Sequence, residues 1–527
     1  MCGRSRTFMN NPGQEPARED VGLEREQRRS VSLVKTQSRG SVLVAAATAL
    51  VLACAGSPKS EVERPGSPEL PAEVEVARVS PVADQLPQRV LLISVAGLTS
   101  AHYRPHGVGR GGTRGGRVMP ALSQLATEGS FADEVVPVMP PTTYPVHASL
   151  VTGLSPGRHS ITADRTLDGR GLFSPPPRRA DRLQGASLWR VARERQLSVA
   201  ALLWPSTVGA LIDLLLPDVV PRQPDEGWLG ALEAEATPWI LDRLLRVEPP
   251  LEAGEWPSAP ERDALLTRLA CDIAAQERTP ALWLLRYGQT AEALLRHGPG
   301  SEGARTAFAR VDAELAGLVG CLRERGLLQT SALVVVGDRR VFPVHTRVDP
   351  NVALLDAGLI IPPASGLAAG VRGWVAIAHS HGGSAVVYAE DESAALLARR
   401  ALELAADDTR AFRVVSAREL RALGADPRAW FGLEAAPGYI IGAGYDEPSL
   451  RAAQLRGVGG YLPTKLGSGV GFVAWGAGLR PGVRVPSMRQ IDVAPTVAAL
   501  LGFDLEGADG RPLIGVLGVD PRTRAPR

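Results

Sequence analysis

Residues 89–95, RVLLISV, leave the chain few ways to fold. The run is almost continuously apolar and of strand length, without the alternation expected of a strand that keeps one face in water. Such runs belong to parallel strands covered on both faces, and the cover must be helices. The same kind of run returns at Leu197–Trp204, Ala281–Tyr287, Ser331–Gly337 and Gly471–Trp475. Between them lie helical patterns at Met119–Glu128, Ser187–Arg195, Ala304–Arg325, Glu392–Ala405, Ala417–Leu423 and Asp492–Leu501. In the third of these Ala304, Phe308, Val311, Leu315, Leu318 and Leu322 recur at three and four, which makes one core-facing stripe. This alternation predicts an α/β fold: a doubly wound, mostly parallel sheet with helices on both faces, in one large domain over 88–516.

Some stretches read less regularly. A strand is expected within Ser130–Met139, and further strands at Gly373–Ala378 and Ser384–Ala389. The apolar run Ala200–Leu216 is broken by Pro205, Gly209 and Asp213, so it reads as a buried strand, a turn and a short helix rather than a membrane span. Pro217–Glu261 is poorly periodic and reads as an insertion over the sheet. The glycine-rich loop Gly107–Arg117 follows no strand directly and reads as a surface loop. Residues 1–32 are polar and without period, and 517–527 read as a tail.

Residues 33–54 resemble a bacterial lipoprotein signal: Lys35 and Arg39 are followed by the short apolar segment Ser41–Ala53 and then Cys54. On that reading Cys54 carries a lipid anchor, 55–87 is a Pro/Glu-rich tether, and the protein is held in the cell envelope, with Ala55 favouring the outer membrane; an uncleaved segment or plain signal peptide is the alternative. Charge adds little, because 58 basic against 56 acidic residues leave +2 and no reason to expect nucleic acid. The cysteines Cys2, Cys54, Cys271 and Cys321 have no zinc-site spacing; the last two are either buried thiols or, in an oxidising compartment, a disulfide.

PPTTYPVHASLVTG, 140–153, has the form of a strand end delivering a hydroxyl to a helix N-terminus. Thr143 is either a nucleophile there, where N–H groups and the helix dipole favour anions, or the N-cap of the helix. Pro145 suits the first turn. His147, four residues on, either acts as base to Thr143 or packs beneath the helix.

Several stretches together resemble the alkaline phosphatase superfamily, in its type I phosphodiesterase/nucleotide pyrophosphatase branch. They are LLISVAGL (91–98), MPALSQLATEG (119–129), PTTYPVHASLVTGLSPGRHSI (141–161), LLWPSTVGALID (202–213), RHGP (296–299), VDAELAGLV (311–319), LVVVGD (333–338), VHTRV (344–348), EAAPGY (434–439) and IDVAPTVAALLG with GRPL (491–513). The resemblance implies a doubly wound sheet holding two zinc ions at its carboxyl edge, and phosphoryl transfer through a threonine or serine. Two such ions clamp the attacking and leaving oxygens and make the hydroxyl reactive.

Carried over residue by residue, that centre is incomplete here. The aspartate after the first strand falls on Ala96, the Asp and His four apart fall on Ala291 and Leu295, the histidine of the Asp–His pair is Arg339, and the last histidine is Gly459. A phosphate-holding asparagine after Pro145 is Val146. Of the nucleophile and ligand positions only Thr143 and Asp338 survive, too few donors for zinc. The expectation is an envelope lipoprotein with a phosphodiesterase-like domain and no two-zinc centre, a pseudoenzyme in which Arg339, Arg340 and Thr143 hold a phosphate-like anion or Arg339 merely pairs with Asp338. The alternative is a weak or altered phosphodiester hydrolase that uses Thr143, with zinc as its cofactor only in that case; a structural surface protein is a third reading. His379 and His381, spaced to share a metal, read rather as a polar glycine turn, and His297 and His345 as structural.

Overall fold

The structure, a computed structural model, describes residues 85–104, 118–166, 174–221, 226–246, 256–361, 373–446 and 448–519. All lie in the second of two compact units, Pro71–Arg527. The signal-like segment with Cys54, most of the tether, the Gly107–Arg117 loop and most of the tail fall outside the described residues.

An eight-stranded sheet forms the centre, in the spatial order Arg484–Val485, Ser130–Ala132, Phe472–Gly476, Ser331–Gly337, Arg89–Val95, Leu282–Tyr287, Val199–Leu202 and Leu214–Leu216. The last five are mutually parallel, and Phe472–Gly476 is antiparallel to its neighbours. Every residue of the first strand is buried, as its apolar run predicts. Its side chains alternate: Leu91, Ile93 and Val95 join a core with Phe308, Val311, Leu315, Leu318 and Leu322 of the helix Glu302–Glu324. Val90 and Leu92 join a second core with Val146 and Leu150 of the helix Thr143–Thr152 and Val497 of the helix Val493–Leu500. The sheet is therefore sandwiched between helical layers, and truncating Leu91 or Ile93 to alanine would cost roughly 2–5 kcal/mol.

Three expectations need correction. The end of the Ala200–Leu216 run is a short edge strand, Leu214–Leu216, not a helix; its three leucines gain more from pairing beside Val199–Leu202 than from the little they could bury as a single helical turn. The strand expected within Ser130–Met139 is divided between Ser130–Ala132 and Val135–Val136, which join different sheets. The strands near Gly373–Ala378 and Ser384–Ala389 lie outside the central sheet. Ala376–Ser380 and Ser384–Ala389 are joined by a three-residue turn, too short for a parallel crossover, and pair antiparallel in a separate four-stranded sheet. That sheet has its own core, which includes Ala398 and Leu402 of the helix Glu392–Thr409.

The insertion contributes the helices Gly227–Glu233 and Pro238–Leu244, and at its end begins the helix Ala259–Ala274. Cys271 on the last of these is joined to Cys321 on Glu302–Glu324 by a disulfide, which decides between the two alternatives for these thiols.

Candidate functional site

The carboxyl ends of Arg89–Val95, Leu282–Tyr287 and Ser331–Gly337 lie side by side, and Ala96, Gly288 and Asp338 follow them directly. The helix Thr143–Thr152 begins over the same edge. Thr142 is at its N-cap without a side-chain capping bond, so Thr143 is the first helical residue and not the cap. The cap function is taken by Asp164, whose carboxylate accepts from the N–H of Thr143 at 3.3 Å and of Tyr144 at 2.8 Å. A carboxylate here satisfies two of the donors that a free helix end would offer an anion. The helix closes at Gly153, whose left-handed φ of 67° suits a residue without Cβ.

Arg339 occupies the centre of the site. Its Nη1 donates to Thr143 Oγ1 at 2.7 Å and lies 3.5 Å from Asp338 Oδ2. Asp338 is fully buried, and its Oδ1 accepts from the backbone N–H of Gly97 at 2.8 Å and of Arg339 at 2.6 Å. Burial pushes the Asp338 carboxyl up, but the opposing effects of Arg339, His147, the Gly97 N–H and Arg286 outweigh it and hold the group below the usual carboxylate range. Arg339 thus pairs with Asp338, as one of the two expectations has it, and also contacts the Thr143 hydroxyl. The Arg340 guanidinium lies over the Phe342 ring, 6.0 Å from the centroid.

Gly459 explains how the arginine fits. A Cβ on Gly459 would stand 2.8 Å from Arg339 Cδ, so the arginine stem runs through the space that a side chain at 459 would need. Ala96 is buried, and its carbonyl accepts from Thr290 Oγ1 at 2.6 Å. Ala291 and Leu295 are one turn apart on the helix Gln289–His297 and line a neighbouring cleft of about 290 Å³.

His147 is not a base for Thr143. Its Nδ1 is 2.7 Å from the Thr143 carbonyl and its Nε2 2.9 Å from Ser94 Oγ. A carbonyl only accepts, so Nδ1 carries the proton and Nε2 accepts from the serine. Both nitrogens are committed, and burial pushes the ring's pKa down to about 3. His379 and His381 lie at the hairpin between Ala376–Ser380 and Ser384–Ala389, with ring centroids 5.1 Å apart. Among the described residues no group of three or more His, Cys, Asp or Glu is placed to hold a metal ion. His345 is exposed and meets Thr346 and Tyr439; His297 is exposed near Gly303.

Sequence reading misses Asp164, Asp263 and Arg286. Asp263 accepts from the N–H of Gly288 and Gln289 at 2.9 and 3.0 Å, just where the Leu282–Tyr287 strand passes into its helix. It shares a helix face with Leu266 and Ala270, and an acid on an apolar stripe was a legible signal. Asp164 had none, being brought to the helix end only by the fold.

The sequence profile of the type I phosphodiesterase/nucleotide pyrophosphatase family matches residues 90–423. Mouse ectonucleotide pyrophosphatase/phosphodiesterase family member 1 is 24% identical over 277 residues, which cover 52% of this chain and 25% of that protein. Its human counterpart is 28% identical over 109 residues, 20% of this chain and 12% of that one. The chain thus spans a quarter or less of the length of these relatives. Among solved structures, human ectonucleotide pyrophosphatase/phosphodiesterase 5 superposes with a TM-score of 0.58 at 16% identity, covering 81% of this chain and 99% of that one. An inactive variant of the murine protein in complex with AMP gives 0.59, also at 16%, covering 82% and 100%. The chain belongs to the type I phosphodiesterase/nucleotide pyrophosphatase family.

Proposed function

We propose that this domain is a phosphodiesterase fold converted into an anion receptor: it lacks the two-zinc route to hydrolysis and holds a phosphate-like group at Thr143 and Arg339. The observation that carries this reading is the seating of Arg339. Its guanidinium contacts the nucleophile-position hydroxyl at 2.7 Å, and its stem lies where a side chain at 459 would stand.

The residues present do not fit the family's zinc pair. Zinc needs about three protein donors per ion. Here the donors reduce to one hydroxyl and one carboxylate, and Asp338 Oδ1 already accepts two backbone N–H groups. Thr143 also lacks an activating base, since both nitrogens of His147 are engaged elsewhere. A fixed guanidinium is instead suited to hold phosphate, sulfate or carboxylate, with the threonine hydroxyl as a second donor.

We place the protein in the cell envelope, anchored by lipid at Cys54. The apolar segment ending at that cysteine supports this, as does the Cys271–Cys321 disulfide, which suits an oxidising compartment. Titration calorimetry with inorganic phosphate tests the receptor reading: Arg339→Gln is expected to weaken binding by at least about tenfold. Equal phosphate affinity in the variant and the parent would overturn it.

A further inference from the structure

We propose that the cleft beneath the insertion, next to the anion site, is a second binding site, for a small organic acid with a flat apolar body. It encloses about 290 Å³, the low end of the range for small-molecule sites. Its lining includes neither Thr143 nor Arg339 but does include Ala291 and Leu295, at two of the lost metal-ligand positions, so it adjoins the anion site above without sharing its two donors.

One wall is the helix Gln289–His297, which presents Ala291 and Leu295. Metal ligands at these two positions would have made this wall polar; as they stand it is aliphatic. The opposite wall comes from Leu203 and Val219, with Trp228 of the insertion buried at 1% exposure and Trp256 standing 43% exposed. Two indoles and four aliphatic side chains around a small space favour a flat apolar ligand.

The charged groups select its polar end. Three carboxylates reach the cleft, and each has a partner within the protein. Asp218 accepts from Tyr144 Oη at 2.9 Å, Asp263 from the N–H of Gly288 and Gln289, and Glu292 pairs with Arg296 at 2.7 Å. Of the two cations, Arg262 donates to the Pro257 carbonyl and lies over the Trp256 ring, 5.0 Å from its centroid. Arg286 differs from all of these. Among the described residues its guanidinium makes no ion pair within 4 Å, although its charge acts on Asp263 and Asp338, and its Nε is buried without a hydrogen-bond acceptor. The side chain is half-buried, and a carboxylate entering the cleft gains a charge-assisted bond to its guanidinium. The three carboxylates in the lining disfavour a polyanion, so the acid carries a single charge.

The test titrates the purified full chain with 2-naphthoate, and with 2-naphthol as the uncharged match, by calorimetry. The expected result is saturable one-to-one binding of naphthoate with a Kd below about 1 mM, and naphthol weaker by at least about tenfold. Arg286→Met is expected to remove the preference for the acid, Arg286→Lys to keep most of it, and Trp256→Ala to weaken naphthoate several-fold. Arg339→Gln is expected to leave naphthoate binding unchanged while reducing phosphate binding, so failure of this site and failure of the phosphate site are told apart. No saturable binding, equal binding of naphthol, or a naphthoate affinity indifferent to both Arg286 substitutions would overturn the proposal.

Discussion

Replacing Gly459 by alanine isolates the feature on which the account of the site depends. The new Cβ would meet Arg339 Cδ at 2.8 Å and the Arg340 carbonyl oxygen at 3.4 Å. Carbon atoms in contact prefer about 3.5–4.0 Å, so the arginine stem must retreat by several tenths of an ångström. It is not free to do so cheaply. The side chain is only 12% exposed, and its guanidinium is held by Thr143 Oγ1 and by the buried Asp338. Either the charge-assisted bond to Thr143 stretches or the pocket is overpacked, and either costs about 1–3 kcal/mol. In an Arg339→Ala background the clash has no partner, so Gly459→Ala should then fall within about 0.5 kcal/mol of neutral. A double-mutant cycle by urea unfolding should therefore give a coupling of about 1–2 kcal/mol between positions 339 and 459. Arg339→Ala alone leaves the buried Asp338 charge unpaired, so the cycle is run with Asp338→Asn at every corner, where the bond to Thr143 still holds the guanidinium. Equal costs of Gly459→Ala with and without Arg339 would show that the glycine answers to the backbone and that the two positions are not a fitted pair.

Other outcomes follow from the same structure. His102, His147, His159, His379 and His381 all titrate below the ordinary histidine value, chiefly through burial, so the unfolded chain takes up protons that the fold refuses as pH falls below about 6.5. Burial lifts Asp263 and Asp312 to about 6, and these act in the opposite sense, being protonated first in the folded chain. The histidines outnumber the acids, so stability should fall between pH 6 and 4.5 by on the order of 3–4 kcal/mol per pH unit; a flat profile of unfolding free energy there would contradict the burial assigned to these rings. Breaking the Cys271–Cys321 link by serine substitution, which frees a loop of 50 residues, should cost about 2–4 kcal/mol in urea unfolding. Cys54→Ser should move the protein from the membrane to the soluble fraction of its native host; an unchanged distribution would remove the lipid anchor from the account.

Much of this was legible in the residues, and the exceptions have physical reasons. Buried strands announce themselves by unbroken apolar runs, so Arg89–Val95 and Ser331–Gly337 fall where the sequence puts them. The stripe from Ala304 to Leu322 is buried along its whole length, as its spacing requires. Sheet membership was not legible, because Ser384–Ala389 looks like any other strand and only its three-residue turn forbids a parallel partner. At the site, residue types suggested that Arg339 stood near Thr143, but sequence held no sign that Arg340 would turn to Phe342. The capping of the helix by Asp164 and the approach of Arg286 to the cleft depend on contacts between distant segments, which no local pattern encodes.

The central claim is that Arg339 has replaced the metal chemistry rather than accompanied it. Metal content of the purified full chain, measured together with turnover of an aryl phosphodiester by the parent and by Thr143→Ala, tests this most directly. Substoichiometric zinc and no turnover that depends on Thr143 are the expected results. About two zinc ions per chain, with turnover abolished by Thr143→Ala, would contradict it.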